Sequence, residues 1–145
     1  MQKQSTPIHN FNLKGEIFII GTTNLNQTYS TSTDVKYGDI FLIDFDGAKF
    51  SEQCGKRPAI VVSNDKGNQH SPTMLVVPLT TKNKKNLPTH LIIEPEKSGL
   101  KEISTALFEQ VKVADKKRII KKMGHVDKSL IEKIKKGLTI AFGIC

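Results

Sequence analysis

Apolar residues between positions 38 and 113 fall into short runs separated by turn-forming residues. β-branched and aromatic side chains dominate these runs, which is typical of strands. The pattern predicts five strands, over residues 39–45, 58–62, 74–77, 90–94 and 105–113. Asp46-Gly47 closes the first strand, the polar residues 64–68 form a turn signal after the second, and Pro78 ends the third. Short strands at this spacing indicate a small antiparallel barrel or curled sheet.

The periodicity changes towards the C-terminal end of the chain. Asp115 is a candidate N-cap for a short helical turn over residues 116–120. Asp127 can cap a longer helix, in which apolar residues recur at helical spacing. These residues are Leu130, Ile131, Ile134 and Leu138. The stripe predicts a helix packed against the core, so the fold class is mainly β with a C-terminal helix.

The first 33 residues differ in composition from the rest of the chain. Residues 22–33 are nearly all Ser, Thr, Asn and Gln, a composition that cannot build a packed core. Before them, residues 15–21 could form a short strand or a sticky segment. We predict a polar, flexible extension over residues 1–33 and one compact domain over residues 34–145. A chain of 145 residues, of which 37% are hydrophobic, is long enough for one core.

Charge is distributed unevenly along the chain, whose formal net charge is +8. Residues 34–110 hold ten basic and ten acidic side chains, whereas residues 111–145 hold ten basic and three acidic ones. Such an excess favours an anionic partner, either nucleic acid, an acidic protein or a membrane surface. No apolar run could span a bilayer or act as a secretory signal, and two cysteines are too few for a disulfide framework. We therefore expect a cytoplasmic protein without a membrane partner.

Spacing gives little support for a metal site. The four histidines form no pair with metal-ligand spacing. Asp44 and Asp46 could hold Mg²⁺ together with Asp39, but acidic residues around a turn are a more common cause of this pattern. We predict no metal and no cofactor.

Two residues are candidates for phosphate chemistry. Arg57 is one of two arginines in a chain with twenty lysines, and it directly precedes Pro58 at the start of a strand. A planar guanidinium group fits phosphate, although a structural arginine paired with a carboxylate is the alternative. Thr80 offers a hydroxyl at a strand end, with turn chemistry as its alternative. The residues alone predict an oxyanion site built from loops on a β scaffold.

Nine short motifs stand in a fixed order along the chain. They are Tyr37-Gly38-Asp39-Ile40, Ser51-Glu52-Gln53, Lys56-Arg57-Pro58, Asn64-Asp65, Gly67-Asn68, Ser71-Pro72-Thr73, Pro78-Leu79-Thr80, Leu87-Pro88-Thr89-His90 and Glu109-Gln110-Val111-Lys112. In this order and spacing, residues 36–144 resemble the MazF/PemK family of toxin endoribonucleases. The resemblance implies a small SH3-like antiparallel β-barrel with a C-terminal helix, a CcdB/PemK-like fold, acting as a homodimer. It also implies sequence-specific, metal-independent cleavage of single-stranded RNA, inhibited by an acidic antitoxin.

The resemblance also assigns site residues. Arg57 and Thr80 fall on the family's catalytic pair. Positions that line the family's RNA groove are occupied here by Ser51, Glu52, Gln53, Asn64, Leu87 and Gln110. Because a guanidinium group stays protonated and is a poor base, we assign Arg57 to clamping the phosphoryl group. Cys54 departs from the family, which often has Gly there, and residues 1–33 have no counterpart in it.

The alternative function is that of a non-catalytic binder on the same fold, such as a DNA gyrase inhibitor. A pure binder has no need for Arg57 and Thr80 together. Retention of this pair therefore favours the endoribonuclease.

Overall fold

The computed structural model describes residues 8–11, 17–20 and 33–144. Strands β1 (Ile8–Phe11) and β2 (Ile17–Ile20) pair antiparallel as a two-stranded sheet of their own. Of the two interpretations of residues 15–21, the strand is therefore the one observed. The polar residues 21–32, predicted as part of a flexible extension, lie outside the described residues, and the boundary of the domain stays a prediction.

Seven strands of the described chain form a second, antiparallel sheet. They are β3 (Asp39–Asp44), β4 (Lys56–Val61), β5 (Thr73–Thr80), β6 (His90–Ile93), β7 (Ser104–Leu107), β8 (Lys112–Asp115) and β9 (Ile119–His125). Their order is β6-β7-β5-β4-β3-β9, and β8 also pairs with β5. The outer strands β6 and β9 do not pair with each other in this part of the chain, so the sheet is not closed by hydrogen bonds. The mainly β class is confirmed, and the predicted barrel is present as an open antiparallel sheet.

The C-terminal helix α2 (Ile131–Ala141) follows a 3₁₀ turn over Lys128–Leu130. Asp127 Oδ2 accepts the N–H of Ser129 at 2.9 Å, which confirms the predicted cap. The predicted stripe faces the core, with Leu130 and Ile134 buried and Ile131 and Leu138 partly buried. No helix among the described residues is long and apolar enough to cross a membrane.

The turn predicted at residues 64–68 is wrong, because these residues begin the short helix Asp65–His70 (α1). Asn64 Oδ1 accepts the N–H of Gly67 at 2.7 Å and so caps the helix. Asn and Asp favour both turns and helix caps, since their side chains bond to nearby backbone N–H groups in either setting. Local composition could not separate the two outcomes.

The single strand predicted over residues 105–113 is also wrong, because a 3₁₀ turn over Phe108–Gln110 divides it into β7 and β8. Thr105 pairs with Thr80, and Lys112 pairs with Val76. Seven steps along β7 and β8 therefore match four along β5, so the turn accommodates three extra residues. A turn of this kind depends on the long-range pairing of β5, which a local pattern does not contain.

Two further boundaries differ from the prediction. Strand β5 continues through Pro78 to Thr80. Pro78 lies between the residues that pair with β8 and those that pair with β7, where β5 changes neighbour and a missing N–H is tolerated. The helical turn after Asp115 ends at Arg118, two residues earlier than predicted. The strand β9 that follows was not predicted, because its centre is rich in lysine and exposed.

Apolar side chains are buried on both faces of the sheet. Along β3, Ile40 belongs to the core cluster under α2, whereas Phe41 and Ile43 belong to a second cluster. The contact between α2 and the first cluster is very close, because a Cβ atom on Gly137 would lie 2.3 Å from the ring of Phe108. Glycine is therefore required where the helix crosses this ring.

Candidate functional site

Arg57 and Thr80 are brought together by the pairing of β4 with β5. The last pair of the β4–β5 ladder is Ala59 with Pro78, and Arg57 and Thr80 each lie two residues beyond it, at the same end of the two strands. The predicted catalytic pair therefore shares one end of adjacent strands.

The two arginines of the chain have different environments. Arg57 Nε donates to the carbonyl oxygen of Cys54 at 2.7 Å, and no carboxylate within residues 33–144 forms an ion pair with it. Arg118 Nη1 donates instead to the carbonyl oxygens of Asp44 and Asp46, at 3.0 and 3.2 Å. Arg118 therefore supports a turn, whereas the terminal nitrogens of Arg57 are available to an anion.

Thr80 is 3% exposed and is held by the backbone beside it. Its Oγ1 accepts the N–H of Lys82 at 3.2 Å, so the turn chemistry considered for this residue is present. Because the oxygen is the acceptor in this bond, the hydroxyl proton stays available for donation.

The loop of residues 46–55, between β3 and β4, carries three of the predicted groove residues: Ser51, Glu52 and Gln53. Its base is closed by a bond from Phe45 N–H to Gly55 O at 2.9 Å. Gln110 Nε2 lies 3.4 Å from Ser51 O, and Cys54 O holds Arg57. One loop thus links the guanidinium group to a fourth predicted groove residue, Gln110.

The buried side chain of His90 connects the loop of residues 81–89 to the turn Phe108–Gln110. The His90 side chain is 7% exposed, with Nδ1 2.6 Å from Lys85 O and Nε2 2.9 Å from Glu109 Oε2. Each ring nitrogen therefore lies at hydrogen-bond distance from an oxygen atom. This bridge ties the loop of residues 81–89 to the turn that carries Gln110. Sequence reasoning did not assign His90 or Glu109 a role, although both stand in the quoted motifs.

Leu87, in the same loop, is 44% exposed. It lines a shallow cavity of about 300 Å³ between the loop and α2, together with Pro88, Lys133 and Lys136. The basic face of the helix therefore borders the loop that follows Thr80.

Asn64 is not brought to the other predicted residues. It follows β4 at the end opposite Arg57, and its side chain caps α1. Four residues of extended strand separate Arg57 from Val61, which is about 13 Å. Its place in an RNA groove stays a prediction.

The acidic residues considered for Mg²⁺ do not form one site. Asp39 is buried and bonds to His125 Nδ1 at 2.8 Å and to the N–H of Lys36 at 2.9 Å. At the other end of β3, Asp44 Oδ1 accepts the N–H of Asp46 at 2.9 Å, as expected of a turn. Within the described ranges, no three His, Cys, Asp or Glu residues cluster as ligands would. The magnesium alternative is wrong, because the carboxylates lie at opposite ends of the strand.

Comparison with solved structures shows that other proteins share this fold. An endoribonuclease in complex with its cognate antitoxin, from a mycobacterial species, is 22% identical, with a TM-score of 0.65 over 77% of this chain and 97% of the other. MazF from Deinococcus radiodurans is 19% identical, with a TM-score of 0.67 over 77% and 99%. The family model of the PemK-like, MazF-like toxins of type II toxin–antitoxin systems matches residues 36–142. The chain therefore belongs to this toxin family.

Proposed function

We propose that this protein is a metal-independent endoribonuclease that cuts single-stranded RNA at a specific sequence. Its toxin family and its fold, shared with a mycobacterial endoribonuclease, support this activity. The observation that carries the proposal is the pairing of β4 with β5, which brings Arg57 and Thr80 to the same end of adjacent strands. Arg57 has no carboxylate partner among the described residues, so it is suited to receive a phosphate.

The chemistry proposed for this pair is attack of a ribose 2′-hydroxyl on the adjacent phosphorus atom. The 2′-hydroxyl loses a proton as the new bond forms, and the bond to the leaving 5′-oxygen breaks as that oxygen gains a proton. The products are a 2′,3′-cyclic phosphate and a 5′-hydroxyl. The intermediate carries extra negative charge on its phosphoryl oxygens. Arg57 stabilises this charge through its terminal nitrogens, and Thr80 through its hydroxyl proton, since preorganised donors act most strongly where charge develops.

The groove residues supply base recognition in this proposal. Ser51, Gln53 and Gln110 offer donors and acceptors to the exposed edges of unpaired bases. Glu52 and Leu87 complete the groove on its two loops, and Asn64 lies further along it.

An acidic antitoxin is the proposed inhibitor, and a homodimer is the proposed active form. Solved complexes of this fold contain an antitoxin, among them the mycobacterial complex and a MazE–MazF complex from Deinococcus radiodurans. The excess of basic over acidic residues in 111–145 matches an acidic partner. A cytoplasmic location remains part of this proposal.

The test is cleavage of a long single-stranded RNA by the purified protein in EDTA, with two matched substitutions. Arg57→Lys keeps the charge but loses the fork, and we expect a loss of rate of about 10²–10³. Arg118→Lys alters the arginine that supports a turn and should cleave at the wild-type rate. Mapping the cut sites gives the recognised sequence.

The outcomes separate the candidate functions. Intact RNA in EDTA that is cut after addition of Mg²⁺ contradicts the metal-free mechanism. Intact RNA under both conditions, together with inhibition of DNA gyrase, favours the non-catalytic binder. Equal rates for Arg57→Lys and wild type remove Arg57 from the catalytic pair.

A further inference from the structure

Phe50 has an unusual environment in the loop of residues 46–55. It is 100% exposed, and it is the one residue other than glycine with positive φ in the described part of the chain, at 59°. Left-handed backbone is unfavourable for a side chain with a Cβ atom, and glycine normally fills such positions. Because the ring is fully exposed, no burial of apolar surface offsets this cost. Neither backbone preference nor packing in the core therefore explains why a phenylalanine occupies this position.

The turn around Phe50 holds the ring away from the protein. Lys49 O accepts the N–H of Glu52 at 3.1 Å, and Glu52 Oε1 accepts the N–H of Lys49 at 3.2 Å. These two bonds close a four-residue turn with Phe50 at its first central position. The next residue, Ser51, is the one whose carbonyl oxygen faces Gln110.

The surroundings of the ring are polar and adjoin the candidate site. Asp46, Lys49, Ser51 and Glu52 are exposed in the same loop, which also holds Arg57 through Cys54 O. A protein interface buries a contiguous apolar core, which a single ring among charged side chains does not provide. One open aromatic face on the loop whose Cys54 carbonyl oxygen holds Arg57 is instead suited to unpaired bases, because every base has a face that stacks.

We propose that Phe50 stacks on a base of the single-stranded RNA next to the phosphate held by Arg57. This inference rests on the proposed function and adds a residue that contacts substrate without touching the reacting atoms. It predicts that Phe50 contributes to RNA affinity and leaves the chemical step unchanged.

The test compares Phe50→Leu, which keeps apolar volume but loses the ring, with Phe50→Trp, which enlarges it. The matched control is Phe142→Leu, because Phe142 is a 58% exposed phenylalanine just beyond α2. The probe is a short RNA spanning a mapped cut site, with 2′-O-methyl at the cleaved nucleotide so that it binds without reacting. A neighbouring 2-aminopurine reports stacking by its fluorescence.

We expect Phe50→Leu to weaken RNA binding by about 5- to 150-fold. Phe50→Trp and Phe142→Leu should bind like the wild type, and only the ring-bearing proteins should quench 2-aminopurine. At saturating cleavable RNA, kcat should be the same in all four proteins. Melting temperatures should also agree, because Phe50 buries nothing, and Phe50→Gly should melt no lower than wild type.

Two results overturn the inference while the proposed function stands. In the first, the wild-type protein cuts RNA normally, and the Phe50→Leu variant binds RNA as tightly as the wild type does. The other is a Phe50→Leu variant impaired only in antitoxin binding or dimerisation, which assigns the ring to a protein contact. A wild-type protein that neither binds nor cuts RNA overturns the proposed function, and the inference with it.

Discussion

The loop of residues 46–55 and helix α2 contact the same 3₁₀ turn, Phe108–Gln110, but they are held to it by different forces. On the helix side, the buried ring of Phe108 packs so closely that only glycine fits at position 137. On the loop side, Gln110 reaches Ser51 through one long hydrogen bond at 3.4 Å. The packed side fixes where the turn lies, and the loop side can change without unfolding the protein. Substitutions at the site should therefore alter activity, and substitutions under the helix should alter stability.

After Arg57, the largest effect is expected at Thr80, on the site side of the molecule. Thr80→Val keeps the shape of the buried side chain but removes the hydroxyl, so RNA cleavage should fall by about 10²-fold or more. Thr80→Ser restores the hydroxyl and should recover most of the rate. Single-turnover cleavage measures both, and equal rates for Val and wild type would exclude a role for this hydroxyl.

A substitution under the helix should act on stability instead. Gly137→Ala introduces a Cβ atom against the ring of Phe108, and we expect a loss of about 1–3 kcal/mol in the free energy of unfolding. Alanine normally stabilises a helix relative to glycine, so the sign itself is diagnostic. Thr139→Ala, exposed on the same helix, is the matched control and should be neutral or slightly stabilising.

Urea unfolding measures these two variants. In the double variant Gly137→Ala, Phe108→Leu, the ring is replaced by a smaller side chain, so the loss should be less than the sum of the two single losses, because the two sites are in contact. Additive losses would show that the ring and the helix do not clash as the structure indicates.

The basic face of α2 should attract RNA and an acidic antitoxin without adding to the stability of the fold. Replacing Lys133, Lys135 and Lys136 by Gln should reduce the slope of log affinity for RNA against log salt by about 2, if all three neutralise phosphates. At low salt, where charges are screened least, the triple variant should also bind an acidic antitoxin peptide more weakly than the wild type does. Unchanged RNA and antitoxin affinities at low salt would limit these lysines to a role in solubility.

The smallest effect is expected at the cap of the turn before α2. Hydrogen bonds from the Ser129 hydroxyl and N–H hold the pKa of the Asp127 carboxyl below its usual value of 3.8. Because the pKa is lower in the folded protein, the ionised carboxyl stabilises the fold fully at pH values above its usual pKa. This contribution is lost as the pH falls through the pKa of the folded state. Asp127→Asn should therefore melt slightly below wild type at neutral pH, with the difference vanishing in acid.

Ser129→Ala sharpens this last test by removing the side-chain donor. It should move the acid loss of stability towards the ordinary carboxyl pKa. A melting temperature that depends on pH identically in all three proteins would contradict the cap.

The elements predicted correctly from the sequence are those whose evidence is local. The β-branched and aromatic run of β3 and the helical stripe around Ile134 each lie within one element, so each pattern indicates its own structure. The division of β7 from β8 depends on Phe108 packing under a distant helix, and β9 depends on lying beside β3. Neither partner is contained in the local pattern.

The candidate site divides in the same way. Its residue types and motif order identify Arg57, Thr80 and Gln110 as candidates. The bridge from Glu109 through His90 could not be predicted, because it joins residues 19 apart whose approach depends on the pairing of β6 with β7. Asn64 is a capping residue in the structure, which its motif alone did not indicate.

The sequence by itself determined the family, the fold class and the chemical groups of the site, because these reside in residue types, order and spacing. Only the tertiary structure decided which groups lie together: the β4–β5 pairing that brings Arg57 and Thr80 to one strand end, and the turn that exposes Phe50. The physical reason is that strand register and loop closure are set by long-range pairing and packing, which no short segment encodes.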